Sequence, residues 1–326
     1  MRWRVPRSAP ACGMSSTHVS LGDYHEDMHE EAVNRGEKLA LLALLYHQPQ
    51  PVSQTELRKA ILDRDRLADR LEGADGLFAA SAAEDAVAQA SADLAGWEAT
   101  GLHVLTPLDD DYPAQMFTVH DFPLVLFGYG RVEDDFRSAA IVGSRDFSQD
   151  GQRYADELAA RLSTAQVTVV SGLAKGIDIT AHRSALRSGG RTVAVLGNGL
   201  EHVYPAEHRE TQEDIGHAGL LLSQFRPTAR PSRQSFPQRN VTMSAYSSVT
   251  VIVEAQEASG TRIQARAAIS HARPLVLSEQ VVRSTSWGEE FAAGSYDVTV
   301  APSAADAAAA VEEILERATR VLSLVP

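Results

Sequence analysis

One cysteine, Cys12, is the whole thiol content of 326 residues. Disulfides and a cysteine-ligated zinc site are thereby excluded, and a cytoplasmic setting is the expectation. Long apolar runs are missing as well. The stretch "LALLALLYH" from Leu39 to His47 falls well short of the roughly 18 to 20 residues that cross a bilayer. Its charged neighbour "EEAVNRGEK" makes it a core helix, so no membrane association is expected. The basic start "MRWRVPRSAPACGMSSTHVS" lacks the apolar segment of a secretory signal. Residues 1–28 read as a disordered leader, with Met14 as an alternative start. The hydrophobic content of 44% suits a globular chain with one large domain and a smaller one.

Positive charge is scarce overall: the net charge is -13, which speaks against a polyanionic partner. The average conceals an asymmetry. Residues 137–275 carry 16 Lys plus Arg against 12 Asp plus Glu, whereas the remainder carries 14 against 31. No acid stands between Asp214 and Glu254, and Arg226, Arg230, Arg233 and Arg239 all fall there. A local basic face on an acidic body is consistent with these counts.

Along the chain, residues 29–96 carry helical periodicity in short units and read as a small all-helical domain. In "SQTELRKAILD", Ser53 is placed to be an N-cap and Glu56 to complete a capping box. From about residue 97 the pattern changes to short apolar runs bounded by turn residues: "HVLT", "PLVLFG", "AAIVG", "VTVVSG", "TVAVLG", "LLLS", "SVTVIVEA" and "PLVLS". Most are continuous rather than alternating, as strands covered on both faces require. Helical segments such as "GQRYADELAARLSTA", with Tyr154, Leu158 and Leu162 on one stripe, alternate with them. The expectation is an α/β, Rossmann-like, doubly wound and mostly parallel sheet over residues 97–315. "SAADAAAAVEEILERATRVLSL" reads as a final helix, running into a C-terminal tail over 316–326.

Open parallel sheets bind ligands outside the carboxyl ends of their strands. The residues there are Gly143-Ser144-Arg145, then Ser171-Gly172-Leu173-Ala174-Lys175-Gly176, then Gly197-Asn198-Gly199, then Ser259-Gly260-Thr261. Read as strand-to-helix turns, all four let backbone amides, hydroxyls and a cation approach an anion. The alternative is that glycine merely ends strands, which explains any single turn but less easily four. Which phosphate compound would bind is limited by further absences. The nicotinamide fingerprint G-x-G-x-x-G is missing, since His202 stands where its third glycine belongs. The Walker pattern is missing too, because Lys175 precedes Gly176 instead of following it. Asp178 and His182 share a helix face, but no third ligand accompanies them for a metal, and a structural role at the helix start competes with an acid/base one. No nucleophile, base and orienter set is visible. Neither a cofactor nor catalysis is expected.

Several segments carry a family resemblance. "HVLTPLDDDYPAQMFTVHDFPLVLFGYG", "IVGSRDFSQDGQRYADELAARL", "VVSGLAKGIDITAHRSALRSGGRTVAVLGNGLEHVYPAEHRE", "GLLLSQF", "FPQRN" and "VTVIVEAQEASGT" closely resemble the DNA-processing protein A (DprA, or Smf) family. The resemblance implies an extended Rossmann-like fold that binds single-stranded DNA without cutting it. It further implies loading of the recombinase RecA during DNA uptake, and action as a homodimer. It puts Ser144, Arg145, Ser171, Gly172 and Lys175 at the DNA backbone and matches Arg239 and Asn240 to the family's F-P-x-R-N motif. The chain departs from the family pattern at Val241-Thr242-Met243 after Asn240, at Gln264-Ala265 where Thr-Ala is usual, at Ser278-Glu279 and at Gln224. The winged helix that many members carry after this domain is not expected here. Related Rossmann-like families that bind or hydrolyse nucleotides keep a second reading open.

Overall fold

The computed structural model describes residues 21–47, 52–72 and 79–322; residues 1–20 of the leader expected over 1–28, with Cys12 and Met14, lie outside them, whereas residues 21–28 belong to a helix instead of a disordered segment. Contacts divide the chain into two compact units, Met1–Tyr112 and Pro113–Pro326.

The first unit contains helices α1 (Leu21–Tyr46), α2 (Gln54–Leu62), α3 (Leu67–Glu72) and α4 (Ala79–Ala99), and the short strand β1 (His103–Leu105). Leu41, Leu42, Leu57, Leu67 and Leu94 make its core, each at most 1% exposed. Burying one leucine fully is worth about 1.5–3 kcal/mol, which is how helices as short as α2 and α3 hold. The capping box expected at Ser53 does not form. Ser53 has extended backbone at the N-cap position, but its side chain accepts no capping hydrogen bond; its carbonyl accepts the Leu57 amide at 3.1 Å.

The second unit is built on a sheet in the order β2-β6-β5-β4-β3-β7-β8-β9. Its strands are β2 (Leu126–Gly130), β3 (Ser138–Gly143), β4 (Thr168–Ser171), β5 (Thr192–Val195), β6 (Leu220–Ser223), β7 (Val249–Glu254), β8 (Leu275–Ser278) and β9 (Val298–Ala301). All pairs are parallel except β2 with β6, which aligns Phe127 opposite Ser223 in antiparallel register. The continuous apolar runs behave as expected, β4 to β8 being buried at every position. Strand β9 was not apparent in the sequence, because it is covered only in part and its inner positions are broken by exposed ones.

Helices α5 (Gln149–Thr164), α6 (Ile177–Arg187), α7 (Arg209–Ala218), α8 (Ser235–Tyr246), α9 (Thr261–Ser270), α10 (Glu279–Ser284), α11 (Ser286–Ala293) and α12 (Ala304–Leu322) connect or flank these strands. The α5 stripe is as read from the sequence: Leu158 and Leu162 are fully buried, and Tyr154 packs at its margin. Helix α5 starts where Ser148 Oγ accepts the Gly151 amide at 3.0 Å, while the Glu254 carboxylate accepts from Ser148 Oγ at 2.7 Å. A carboxylate at the end of β7 thus fixes the start of α5. Among the described residues no helix is long and apolar enough to cross a membrane.

The strand order fixes where a ligand can enter. From β3 the chain winds outward through β4, β5 and β6, and then returns to place β7 on the other side of β3. The turns leaving β3 and β7 therefore diverge, and a crevice opens between them at the carboxyl edge of the sheet.

Candidate functional site

A cleft of about 360 Å3 occupies that crevice. Eight of the residues expected at a site line it: Gly143, Ser144 and Arg145 from the turn after β3, Arg239 and Asn240 from α8, and Ser259, Gly260 and Thr261 from the turn after β7. A smaller hollow of about 50 Å3 beside it is lined by Gly172, Lys175 and Gly197, and shares Arg145 and Arg239 with the cleft. Ser171, Gly176 and Gly199 line neither. Ser171 is fully buried, with Oγ donating to the Ile141 carbonyl at 2.7 Å.

Each corner differs from the simple picture of an amide cradle. After β3, the Ser144 amide donates to the Glu254 carbonyl at 2.8 Å, and Ser144 Oγ bonds the Asp146 carbonyl. Arg145 is the outward group here, exposed, with its guanidinium carbon 5.5 Å from the centroid of the Phe236 ring. That distance is within cation–π range.

After β4, the Ala174 amide turns inward onto the Asp178 carboxylate at 3.4 Å. At the Ala174 amide of this turn the protein thus supplies its own anion. Burial pushes the Asp178 carboxyl up, while Arg239 and Arg145 oppose the shift. Gly176 is required by geometry, with φ at 87° and any Cβ 2.2 Å from the Ser144 carbonyl oxygen. Lys175 is exposed, and its Nζ is paired with Glu207 Oε1 at 2.9 Å.

His182 follows the structural alternative. Its Nδ1 donates to Thr192 Oγ1 at 2.7 Å, since that hydroxyl itself donates to the Val169 carbonyl. Complete burial pushes the imidazole down to about 3, so it is neutral. No group of His, Cys, Asp and Glu able to hold a metal occurs among the described residues.

The third turn, Gly197-Asn198-Gly199, does not enter a helix at once: α7 begins only at Arg209. Its amides therefore lack a helix N-terminus to reinforce them. The Gly199 amide donates to the Ala229 carbonyl at 2.8 Å, and a Cβ there would stand 2.1 Å from the Arg226 carbonyl oxygen. The turn instead anchors the acid-free loop that carries Arg226, Arg230 and Arg233, all exposed.

The fourth turn does open a helix, with Gly260 at the N-cap of α9. Ser259 Oγ and Thr261 Oγ1 hydrogen-bond each other at 2.7 Å. Nothing stands within 4 Å of the place where a Gly260 Cβ would lie.

Arg239 departs furthest from expectation. It is 5% exposed, and its Nη1 donates to the carbonyls of Gly172 and Val195, the latter at 2.9 Å. Its Nε donates to Asn240 Oδ1 at 3.1 Å, and Asn240 Nδ2 donates to the Gly260 carbonyl at 3.3 Å. Burial lowers its affinity for the proton, and Asp178 opposes that shift. Arg239 is a tie between the ends of β4 and β5 and the fourth turn, reached through α8.

Two aromatic residues escaped the reading of individual residues. Phe236 lines both the cleft and the hollow. Tyr204, 44% exposed, lies beside it with ring centroids 5.5 Å apart. Their signal was the pair of X-Pro dipeptides Tyr204-Pro205 and Phe236-Pro237 inside segments of family resemblance.

Residues 103–317 match the family described as DNA recombination-mediator protein A. Among curated proteins, the DNA processing protein DprA of Streptococcus pneumoniae is 36% identical over 167 residues, covering 51% of this chain and 59% of that protein. Protein Smf of Escherichia coli is 38% identical over 175 residues, covering 52% and 46%. The chain spans about half the length of the curated relatives it matches. The X-ray structure of DprA from Streptococcus pneumoniae superposes with a TM-score of 0.66 at 26% identity, covering 85% of this chain and 97% of that one. DNA processing protein A of Helicobacter pylori, described for its single-stranded DNA binding mode, has the same fold, with a TM-score of 0.58 at 24% identity over 65% of this chain and 96% of that one.

Proposed function

On the premise that the chain belongs to the DNA recombination-mediator protein A family, we propose that it binds single-stranded DNA along the carboxyl edge of the sheet and performs no chemistry on it. The observation that carries this reading is the pairing of exposed cations with aromatic rings at one edge. Arg145 lies over Phe236, Tyr204 stands beside Phe236, and Lys175 lines the same hollow. Strand binding without sequence preference needs that combination, because cations track phosphates while rings accept the flat face of any base. The basic loop with Arg230 and Arg233 prolongs the track past the third turn. The cleft hydroxyls of Ser144, Ser259 and Thr261 are all held in hydrogen bonds within their own turns, an arrangement that suits a binder better than a nucleophile. In the cell the same surface would deliver the strand to the recombinase RecA, with two copies of the chain acting together in the cytoplasm.

Fluorescence anisotropy with a labelled oligonucleotide tests the reading. Affinity should fall linearly in log–log form with salt, by roughly 0.7 per phosphate contacted. Arg145→Glu together with Lys175→Glu should abolish binding with no loss of fold. Salt-independent binding, or unaltered binding by the double variant, would overturn it. Stabilisation by a mononucleotide but not by DNA would favour a nucleotide-sensing protein on the same fold.

A further inference from the structure

Helices α5 and α6 pack side by side on one face of the sheet. Between them runs a groove of about 410 Å3, lined by Gln152, Arg153 and Asp156 from α5 and by Thr180, Arg183 and Arg187 from α6. All six are polar or charged. Ser184 Oγ of α6 donates to the Asp156 carbonyl of α5 at 2.6 Å, which sets the two helices in register. Arg183 and Arg187 stand one helical turn apart, with about 5–6 Å between their Cβ atoms, and Arg153 faces the same space from α5. All three arginines are exposed. Arg183 is aimed by a neutral neighbour, its Nε donating to Thr211 Oγ1 at 3.1 Å. Arg153 pairs with Asp150, and Arg187 with Asp156. Both pairs are solvent-exposed and contribute little, so an incoming anion exchanges for either carboxylate at small cost. Three guanidinium groups thus gather on one groove of a chain whose net charge is -13.

The lining selects the guest. A protein partner docks through buried aromatic or aliphatic anchors, and none of the six side chains offers it a pocket for one. Phosphates are held instead by guanidinium groups and by neutral donors such as the Gln152 amide, whatever base they carry. With no ring in the lining, bases gain no stacking surface and stay outward. The course of the helices supplies the rest of the argument. Each follows a parallel strand, so its first turn lies at the carboxyl edge of the sheet: α6 begins two residues after Lys175, and α5 four residues after Arg145. Gln152 and Thr180 therefore mark the mouth of the groove, while Arg183 and Arg187 lie about 9 and about 15 Å along α6 from its start. We infer that the backbone of a bound single strand leaves the carboxyl edge between α5 and α6 and follows this groove, its phosphates held by Arg153, Arg183 and Arg187. This rests on the reading of the edge as a single-strand track. It lengthens that track over the helical face, where contacts are to phosphate alone, by about four nucleotides at the stacked spacing of ~3.4 Å.

The test uses the full chain and oligothymidylates of increasing length, from about 4 to about 16 nucleotides, each titrated at several salt concentrations. Arg183→Gln combined with Arg187→Gln should lower the log–log salt slope of the longest strand by roughly 1.4, at about 0.7 for each of two phosphates. Affinity for that strand should fall about tenfold or more at low salt, while the shortest strand, seated at the edge, binds as it does to the wild type. The ratio of long-strand to short-strand affinity is taken within one variant, so it is independent of how well that variant folds. Arg183→Lys combined with Arg187→Lys keeps the charges and should keep most of the slope. Arg161→Gln combined with Arg317→Gln removes two exposed arginines outside the groove, each paired with a carboxylate of its own, and should leave the ratio unchanged. An unaltered salt slope in the Arg183→Gln, Arg187→Gln variant would overturn the inference and leave binding at the edge intact. A loss equally large for the shortest strand, or one reproduced by the Arg161→Gln, Arg317→Gln control, would also overturn it, by showing an effect of net charge. Polyglutamate bound as tightly as a strand of equal charge, and released by the same two glutamines, would assign the groove to an acidic protein segment instead. Failure of every strand to bind the wild type would refute the proposed function itself.

Discussion

Gly172→Ala is the substitution whose cost the geometry determines most directly. A Cβ at that position would lie 1.7 Å from Arg239 Nη1 and 2.2 Å from Cζ, so the guanidinium has to leave its place. That place is defined by bonds from Nη1 to the carbonyls of Gly172 and Val195. Hydrogen bonds to a charged group contribute about 1.5–3 kcal/mol each, so losing both costs about 3–6 kcal/mol. In a domain of this size each kcal/mol lowers the melting midpoint by roughly 2–4 °C. A drop on the order of 6–24 °C is therefore expected by calorimetry. The cause is isolated by repeating the change in an Arg239→Met background. With no guanidinium to displace, the alanine should then be nearly silent, and the coupling energy should approach the whole single-variant cost. A Gly172→Ala protein that melts within about 2 °C of wild type, or a cost that simply adds when combined with Arg239→Met, would refute the tie assigned to Arg239.

Other consequences can be measured separately. Glu207→Gln should free Lys175, with which it pairs at 2.9 Å, and tighten oligonucleotide binding several-fold at low salt in an anisotropy titration. Because exposed pairs add little to stability, the melting temperature should not move. His182 is held at about 3 against an ordinary 6.5, so its contribution to stability is complete above about 6.5 and is lost progressively as pH falls from there toward 3. Urea midpoints at pH 7 and pH 4.5 should therefore differ less in His182→Gln than in the wild type; the raised Asp178 carboxyl acts with the opposite sign and cannot produce this effect. Gly176→Ala meets a φ of 87° and a carbonyl oxygen at 2.2 Å, whereas Gly260→Ala meets nothing within 4 Å. The first should cost on the order of 1–3 kcal/mol or more and the second almost nothing in a denaturation curve.

The sheet was legible because strands buried on both faces must be apolar at consecutive positions, as "VTVV" and "VTVIVEA" are. β9 was not, since a strand covered in part loses that continuity. The corners were legible as positions and misread as mechanisms. A glycine after a strand says that something approaches closely, but not what. At Gly172 the neighbour is Arg239, at Gly199 the backbone of Arg226 and Pro227, and at Gly260 it is open space. The motif arginine misled for a related reason: its charge is visible in one dimension, its depth is not. Likewise Lys175 meets Glu207, and His182 meets Thr192, through tertiary packing that no local spacing announces. The Ser53 capping box failed although its residue pattern was correct, because the pattern permits the reciprocal bonds without compelling the side chain to make them. Gln264 is legible in the sequence only as a residue type; that its amide atoms are buried and unpaired depends on neighbours distant in the chain.

The carboxylate of Asp178 behind the β4–α6 corner bears on when order is acquired. A turn whose amides await a ligand is held loosely until that ligand arrives, and part of the binding energy goes into arresting it. Here the amide of Ala174 is already occupied from within the chain. Its motion is arrested at folding, so the surface beside Lys175 is finished before any ligand docks. The fourth turn has no such internal anion, and its hydroxyls hold only each other. Hydrogen exchange should accordingly report docking unevenly: slow and unchanged at residue 174, and slowed by the oligonucleotide at residues 256–261.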